Sequence, residues 1–174
     1  MLLEKYLPVF QFSEKHSIKI NAVPERIFAI ASELDFSKSK LIRILFALRG
    51  MPARMMNKKG LLAGGFQELE QRNNEEIAFG IIGQFWKPRG NMQHFKPDEF
   101  TSFNATGFLK GAWNFRLVAL SPSSTMLETE TRVQAIDEYS RKKFSRYWFF
   151  IQPFSGIIRM EILKLIKRKA EENS

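Results

Sequence analysis

The stretch from Asp137 to Lys169 constrains the fold more than any other part of the chain. Its apolar and small residues recur at steps of three and four, which places them on one face of a helix. Because Pro153 removes a backbone donor from the middle of this stretch, we expect one long helix with a kink or break there. Asp137 suits the N-cap, and basic residues at 164 and 167–169 suit the C-terminal end. The inward stripe comprises Phe144, Trp148, Ile151, Ser155, Ile158, Ile162 and Leu165.

Two short helices follow the first predicted strand, which covers residues 16–22. Pro24 suits the first turn of the first helix because its missing N–H has no helical partner at that position. Ser37 suits the cap of the second helix, which we expect to end before Gly50 and Pro52. The apolar stripe of this second helix comprises Leu41, Leu45 and Leu48.

The remainder of the chain before the long helix shows the twofold periodicity of β strands. The pair Asn73-Asn74 predicts a hairpin, and the prolines and glycine within 85–100 predict an irregular crossing. A sheet with one apolar face must bury it, and the long helix is the only element long enough to do so. The fold class is therefore α+β, an antiparallel curved sheet wrapped around a long C-terminal helix. The predicted strands cover residues 65–71, 76–84, 100–107, 110–120 and 127–135.

This order of elements resembles the helix-grip fold of the START and SRPBCC superfamily, which includes birch-pollen-allergen-like and polyketide cyclase-like proteins. The resemblance rests on HSIKINAVPERIFAIASELD near the N-terminus, and on LETETRVQAID followed by SRKKFSRYWFFIQPFSGIIRMEIL near the C-terminus. It covers nearly the whole chain, so we expect a single domain over 1–174, with 1–12 as an N-terminal extension. It implies a cavity between the sheet and the helix. Across the superfamily this cavity holds lipids, sterols, hormones or polyketides, and in some branches it is the site of a catalysed reaction. It carries over no catalytic residue.

The predicted ligand-binding residues are large apolar side chains of the strands and the long helix, together with one arginine. Plain core packing is the alternative for each of them, because large aromatic side chains dominate protein cores. Arg159 interrupts the apolar run GIIRMEIL. It either extends outward and pairs with Glu161 or Glu138, or binds a ligand carboxylate at the cavity wall. The set comprises Phe79, Trp86, Trp113, Phe115, Tyr147, Trp148, Ile151, Phe154 and Arg159.

The polar residues point to no particular reaction. With no cysteine the chain has neither disulfides nor thiolate chemistry. His16 and His94 are its two histidines, and because His94 has only Asp98 and Glu99 nearby in sequence, a metal or acid–base role is disfavoured. Glu128 and Glu130 share the outer face of the last strand, where we expect them to pair with basic residues across the sheet. We predict no catalytic residue, no metal, no cofactor and no nucleic-acid partner, since no such binding motif is present.

The net charge of +9 is unevenly distributed. No acidic residue occurs between Asp35 and Glu68, whereas seven lysines and arginines do. This basic segment, 38–59, is either a solvated surface or a patch for anionic lipid headgroups or phosphate. In the second case Met51, Met55 and Met56 would supply adaptable apolar contacts.

The leading functional interpretation is binding or transport of a small hydrophobic, lipid-like ligand. The alternatives are a cyclase- or hydrolase-type enzyme acting in the same cavity, and a partner-binding module that uses residues 38–59. No apolar run approaches the roughly 20 residues that cross a bilayer. The N-terminal stretch MLLEKYLPVFQF lacks the features of a signal peptide. We therefore expect a cytoplasmic protein, and the oligomeric state stays open.

Overall fold

The computed structural model describes residues 1–33, 35–48, 53–88 and 90–172. Its strands form one five-stranded antiparallel sheet in the order β1-β5-β4-β3-β2. The strands are β1 (Phe12–Ile20), β2 (Gln67–Arg72), β3 (Glu76–Gly83), β4 (Leu109–Ser121) and β5 (Ser124–Ala135). The helices are α1 (Leu2–Tyr6), α2 (Pro24–Glu33), α3 (Lys40–Leu48), a 3-10 turn (Ala53–Met56), α4 (Lys58–Ala63) and α5 (Glu138–Glu171). The predicted fold class is confirmed.

Helix α5 crosses the inner face of the sheet and begins where the sequence predicts. The Asp137 carboxylate accepts a hydrogen bond of 2.8 Å from the backbone N–H of Ser140. Four residues of the predicted inward stripe are buried and the other three are half-buried. The helix continues through Pro153 without a break. Packing on both sides of the proline accounts for this, because tertiary contacts contribute most of the stability of a helix.

The inner core lies between α5 and the three central strands. Phe79 and Ile77 of β3, Trp113 and Phe115 of β4, and Leu127 of β5 are all buried there. Trp113, Phe115 and Leu117 belong to this core together and therefore share the inner face of β4. The Asn73-Asn74 hairpin also forms between β2 and β3.

The second predicted short helix forms as α3, but its predicted cap and part of its predicted register are wrong. Ser39 caps α3, since its hydroxyl oxygen accepts a 3.2 Å bond from the N–H of Ile42. Ser37 instead donates its backbone N–H and its hydroxyl to the carboxylate of Asp35. Leu41 is 43% exposed because the buried side of α3 consists of Ile42, Leu45 and Phe46. Gly50 and Pro52 lie outside the described residues, as does the side chain of Leu48.

Two further predictions are wrong. Met55 and Met56 are buried, because the 3-10 turn and α4 direct them into the inner core, and they are not available to a partner. Met51 lies outside the described residues. Residues 100–107 form turns instead of a strand. Both edges of β4 are already paired, with β3 and β5, and Phe100 is buried in a separate core on the outer face.

Helix α1 covers part of that outer face. Leu2, Leu3 and Leu7 pack there against apolar residues of β2, β3 and β4. The backbone N–H of Leu2 donates to the buried carboxylate of Glu76 at 2.9 Å. Arg132 donates to the carbonyl of Leu7 at 3.3 Å and so holds the other end of the helix. Residues 1–12 thus supply α1 and the start of β1, while the division of the chain into domains stays a prediction.

The outer-face glutamates of β5 pair with cations, Glu128 across the sheet as predicted and Glu130 with a residue of its own strand. Glu128 lies 3.2 Å from Arg116 directly across the sheet and 3.4 Å from Lys15 on β1. Glu130 accepts a bond of 2.5 Å from Arg132. In the part of the chain that the structure describes, none of the helices is both long and apolar enough to cross a bilayer.

The N-cap of α5 gives a stability prediction that depends on pH. Hydrogen bonds from the backbone N–H groups of Ser140 and Gly107 hold the pKa of the Asp137 carboxyl below its ordinary value of 3.8. Asp137→Ala should lower the free energy of unfolding by about 1–2 kcal/mol at neutral pH. A lowered folded-state pKa stabilises the protein above the unfolded pKa and ceases to do so as pH falls through the folded one.

The difference between wild type and Asp137→Ala should therefore be complete above pH 3.8 and shrink below it. Urea denaturation at neutral and strongly acidic pH measures this difference. Asp98→Ala, on an exposed turn, is the control and should stay within about 0.5 kcal/mol of wild type. A difference that is the same at both pH values would contradict the assignment of the cap.

Candidate functional site

A row of polar side chains crosses the inner face of the sheet between two apolar clusters. The larger cluster includes Phe79 and Ile158, and the smaller one includes Phe144. Glu14 on β1 lies opposite Thr131 on β5, and Thr131 lies opposite Trp113 on β4. Side chains paired in this way have Cβ atoms about 5 Å apart on one face. His16 follows Glu14 on the same face, and we call Glu14, His16, Thr131 and Trp113 the polar strip.

Glu14 and His16 form a hydrogen-bonded pair under α5. Oε1 of Glu14 lies 2.7 Å from Nε2 of His16. The Glu14 side chain is only 7% exposed. Its second oxygen, Oε2, is buried and has no hydrogen-bond partner among the described residues. Leaving a buried acceptor unpaired costs about 1–3 kcal/mol, so this arrangement requires an explanation.

Helix α5 approaches this pair closely because residue 156 is a glycine. A Cβ atom at Gly156 would lie 2.7 Å from Oε1 of Glu14 and 3.5 Å from Nε2 of His16. Beside this contact a groove of about 380 Å³ runs between β1, α3 and α5. His16 is therefore reachable from the surface. The groove is lined by His16, Leu41, Pro153, Gly156, Ile157, Met160, Glu161 and Lys164.

Trp113 forms the other end of the polar strip. Its indole ring packs against Phe79, Phe115 and Phe66, with ring centroids 5.1, 5.8 and 5.7 Å away. The guanidinium of Arg159 lies 4.4 Å from its ring centroid, a cation–π distance. The indole Nε1–H is buried and has no acceptor among the described residues.

The two unpaired atoms flank the same residue. Oε2 of Glu14 and Nε1 of Trp113 are the buried side-chain polar atoms without a partner in the described parts of the chain, and both residues are cross-strand neighbours of Thr131. Thr131 itself is only half-buried, although it belongs to a central strand and faces α5. An acceptor and a donor thus stand on either side of a partly accessible threonine.

The structure divides the ligand-binding residues that the sequence predicts into two groups. Aromatic and aliphatic side chains fill the larger cluster. Phe154 is 40% exposed and joins neither group, because Ser155 continues the inward stripe in its place. Ile151 is half-buried on α5. Phe79, Trp113, Phe115 and Arg159 lie together, and Trp86, Tyr147 and Trp148 pack around Phe144 in the smaller cluster.

Glu14 was missed from the sequence, although a signal for it was present. Only the carboxylates near His94 enter the prediction against a histidine site. Glu14 is two residues earlier, and in a strand this spacing places both side chains on one face. The predicted strand began at residue 16, whereas β1 begins at Phe12, so the pair was not recognised. Within the described ranges, no three His, Asp or Glu side chains gather in a metal-binding group.

No protein-family profile matches the chain. Similar solved structures include the di-domain ARO/CYC BexL from the BE-7585A biosynthetic pathway, at 11% identity and a TM-score of 0.34. That match covers 92% of this chain and 47% of BexL, so this chain spans about half of BexL. The Zhui aromatase/cyclase from Streptomyces sp. R1128 matches at 11% identity over 91% of this chain and 94% of its own, with a TM-score of 0.33.

TTHA0849 from Thermus thermophilus matches at 9% identity, over 94% of this chain and 99% of its own, with a TM-score of 0.35. Aromatase/cyclases are thus among the structures similar to this chain.

The close approach of α5 to Glu14 can be tested by a double-mutant cycle. Replacing a glycine inside a helix by alanine normally stabilises a protein by about 0.5–1 kcal/mol. Gly156→Ala alone should give no such gain, because the new Cβ displaces Glu14 from His16. In a Glu14→Ala background the same substitution should give the full gain. Urea denaturation of the four proteins measures the coupling, and additive effects would show that the contact is absent.

Proposed function

We propose that this chain binds a small hydrophobic molecule between the sheet and α5, with the polar group of the ligand at the polar strip. The observation that carries the proposal is the pair of unpartnered buried atoms, Oε2 of Glu14 and Nε1 of Trp113, on either side of Thr131. A ligand that pairs with them removes the cost of burying them, which favours the bound state.

The chemistry of the two atoms limits the polar part of the ligand. The indole N–H of Trp113 can only donate, and an ionised Glu14 carboxylate can only accept. A matching ligand carries an acceptor toward Trp113 and a donor, such as a hydroxyl, toward Glu14. The guanidinium beside the Trp113 ring adds positive potential at that end. A carboxylate or another anionic acceptor is therefore favoured there.

The groove supplies an entrance for the apolar part of the ligand. Leu41, Ile157 and Met160 line it together with His16. The groove is open to solvent and has a volume of about 380 Å³. A lipid-like carrier function fits this combination of an apolar entrance and a few convergent polar groups.

The proposal predicts that removing one N–H weakens binding without disrupting the fold. Trp113→Phe keeps an aromatic ring in the core and deletes the donor. The probe is anilinonaphthalene sulfonate, which combines aromatic rings with an anionic acceptor and becomes fluorescent in apolar surroundings. Because a hydrogen bond to a charged group contributes about 1.5–3 kcal/mol, the Kd should rise about tenfold or more.

Trp86→Phe is the matched control, since Trp86 packs against the smaller cluster and is not part of the strip. It should leave the Kd unchanged. Urea denaturation of both variants checks that each is folded under the binding conditions. Equal affinities of wild type and both variants would contradict the proposed position of the ligand.

A second candidate function is acid–base catalysis in the same site, and the Glu14–His16 pair is the observation that favours it. If the Nε2–H group of His16 donates the hydrogen bond to Glu14, Nδ1 carries no proton and is the basic nitrogen of the ring. The described residues give Nδ1 no hydrogen-bond partner. Nδ1 can then take a proton from a water or substrate hydroxyl, and Glu14 stabilises the resulting imidazolium. This would be the hydrolase-type alternative.

Hydrolysis of p-nitrophenyl esters of increasing acyl length tests this second function. If the pair is catalytic, His16→Ala should reduce the rate above buffer by about 100-fold, the lower end of the usual contribution of a general base. Glu14→Gln should reduce the rate less, because it keeps the imidazole in place without the charge. His94→Ala, at an exposed position, is the control. Equal rates in wild type and His16→Ala would rule out ester hydrolysis by this pair.

A further inference from the structure

Helix α5 carries a second apolar face that points away from the sheet. Phe149 and Phe150 are 76% and 70% exposed, and their rings contact each other with centroids 5.4 Å apart. Phe154 and Ile157 continue this face at helical spacing and are 40% and 48% exposed. A contiguous patch of large exposed apolar side chains usually marks a binding surface.

The patch continues onto α3. Leu41 and Ile44 are 43% and 58% exposed, one turn apart. Leu41 and Ile157 line the same groove, which places the two helices side by side at this point. We call this set the aromatic face. It comprises Phe149, Phe150, Phe154, Ile157, Leu41 and Ile44.

Positive charge borders most of the aromatic face, and Glu161, the acidic residue at the groove, is paired with Arg168. No acidic residue occurs in 139–160 on α5, or in 36–67, the range that contains α3. On α5, Lys142, Lys143 and Arg146 are exposed in the turns that precede Phe149. On α3, Lys40 and Arg43 are exposed beside Leu41 and Ile44. An apolar surface bordered by cations on both helices is complementary to an apolar partner with an anionic rim.

We infer that the aromatic face docks on an anionic phospholipid bilayer. The phenylalanine side chains enter the boundary between headgroups and acyl chains, as the apolar face of an interfacial amphipathic helix does. The surrounding lysines and arginines contact lipid phosphates, where each contributes about 1 kcal/mol. A second copy of the chain fits this surface poorly, because a twofold contact brings the same cations together. The exposed apolar residues of α5 and α3 thus supply the bilayer contacts that were predicted from the sequence for Met55 and Met56.

Docking of this kind places the entrance of the ligand groove at the bilayer, a consequence that rests on the proposed function. The groove opens at Leu41 and Ile157 of the aromatic face and reaches His16. A lipid-like molecule would then pass from the bilayer to the polar strip without crossing water.

Co-sedimentation of the full chain with vesicles tests the inference. The vesicles are phosphatidylcholine alone, or phosphatidylcholine mixed with an equal part of phosphatidylglycerol, at low and at physiological salt. Wild type should sediment with the mixed vesicles, and less so as salt rises, because salt screens the headgroup attraction. Phe149→Ala with Phe150→Ala should weaken partitioning about tenfold or more, from the loss of two inserted side chains.

Lys143→Glu with Arg146→Glu should weaken binding to the mixed vesicles by about tenfold or more. The matched charge control is Lys87→Glu with Lys96→Glu, at exposed positions of the irregular segment, and it should bind more tightly than the Lys143/Arg146 pair variant. Trp113→Phe should bind vesicles like wild type because Trp113 is buried. The vesicle assay therefore tests the docking inference separately from the proposed ligand site, which the Kd of Trp113→Phe tests.

Equal, weak sedimentation of wild type with both vesicle types would overturn the inference. So would a concentration-dependent dimer in sedimentation velocity that Phe149→Ala with Phe150→Ala dissociates, since the aromatic face would then be covered by a second copy.

Discussion

The structure depends on the packing of α5 across the inner face of the sheet. Ile77, Phe79 and Phe115 are completely or almost completely buried there, and they would face water if α5 were removed. Helices α2 and α3 are about ten residues long or shorter and contact α5 itself, so neither can replace it. Burial of each such side chain contributes about 1.5–3 kcal/mol, so this interface contributes substantially to the stability of the fold.

The same interface is interrupted where the polar strip crosses it. Glu14 and Trp113 each leave a polar atom buried without a partner, at a cost of about 1–3 kcal/mol each. Apolar residues of similar size at these positions would remove that cost. Local departures from good packing are expected at functional sites, where strain and unmet hydrogen bonds are offset by the surrounding structure. The well-packed clusters on both sides of the strip supply that compensation.

The elements that could be predicted from the sequence are those whose apolar pattern repeats over many neighbouring residues. The inward stripe of α5 and the alternation of β4 and β5 extend over many residues, so a small error does not change which face is buried. Helix α1 could not be predicted in this way, because five residues carry too little periodicity. Its position depends on Glu76 and Arg132, which lie far away in the sequence.

The polar strip is also non-local. It exists because the strand register pairs Glu14 with Thr131 and Thr131 with Trp113. Such a register is set by the packing of the whole sheet. The sequence therefore indicates Trp113 as a core or ligand residue, but it does not indicate that Glu14 lies two strands away with an unpaired carboxylate oxygen. The register of α3 was missed for a different reason. Apolar residues occupy most of its positions, and the leucines alone do not determine which side faces the core.

One stretch of α5 brings the two surfaces together. From Pro153 to Ile157 the helix turns Gly156 toward Glu14 and His16, while Phe154 and Ile157 are exposed on the aromatic face. Because proline has no N–H, the carbonyl of Phe149 lacks its normal helical donor, and this turn resists bending less than the rest of the helix. A displacement of Phe154 therefore also moves Gly156 relative to Glu14. Docking and ligand binding become coupled if this turn has one position in the docked protein and another in the free protein, and the ligand binds the two with different affinity. Docking then changes ligand affinity by the same factor by which the ligand changes the affinity for the bilayer.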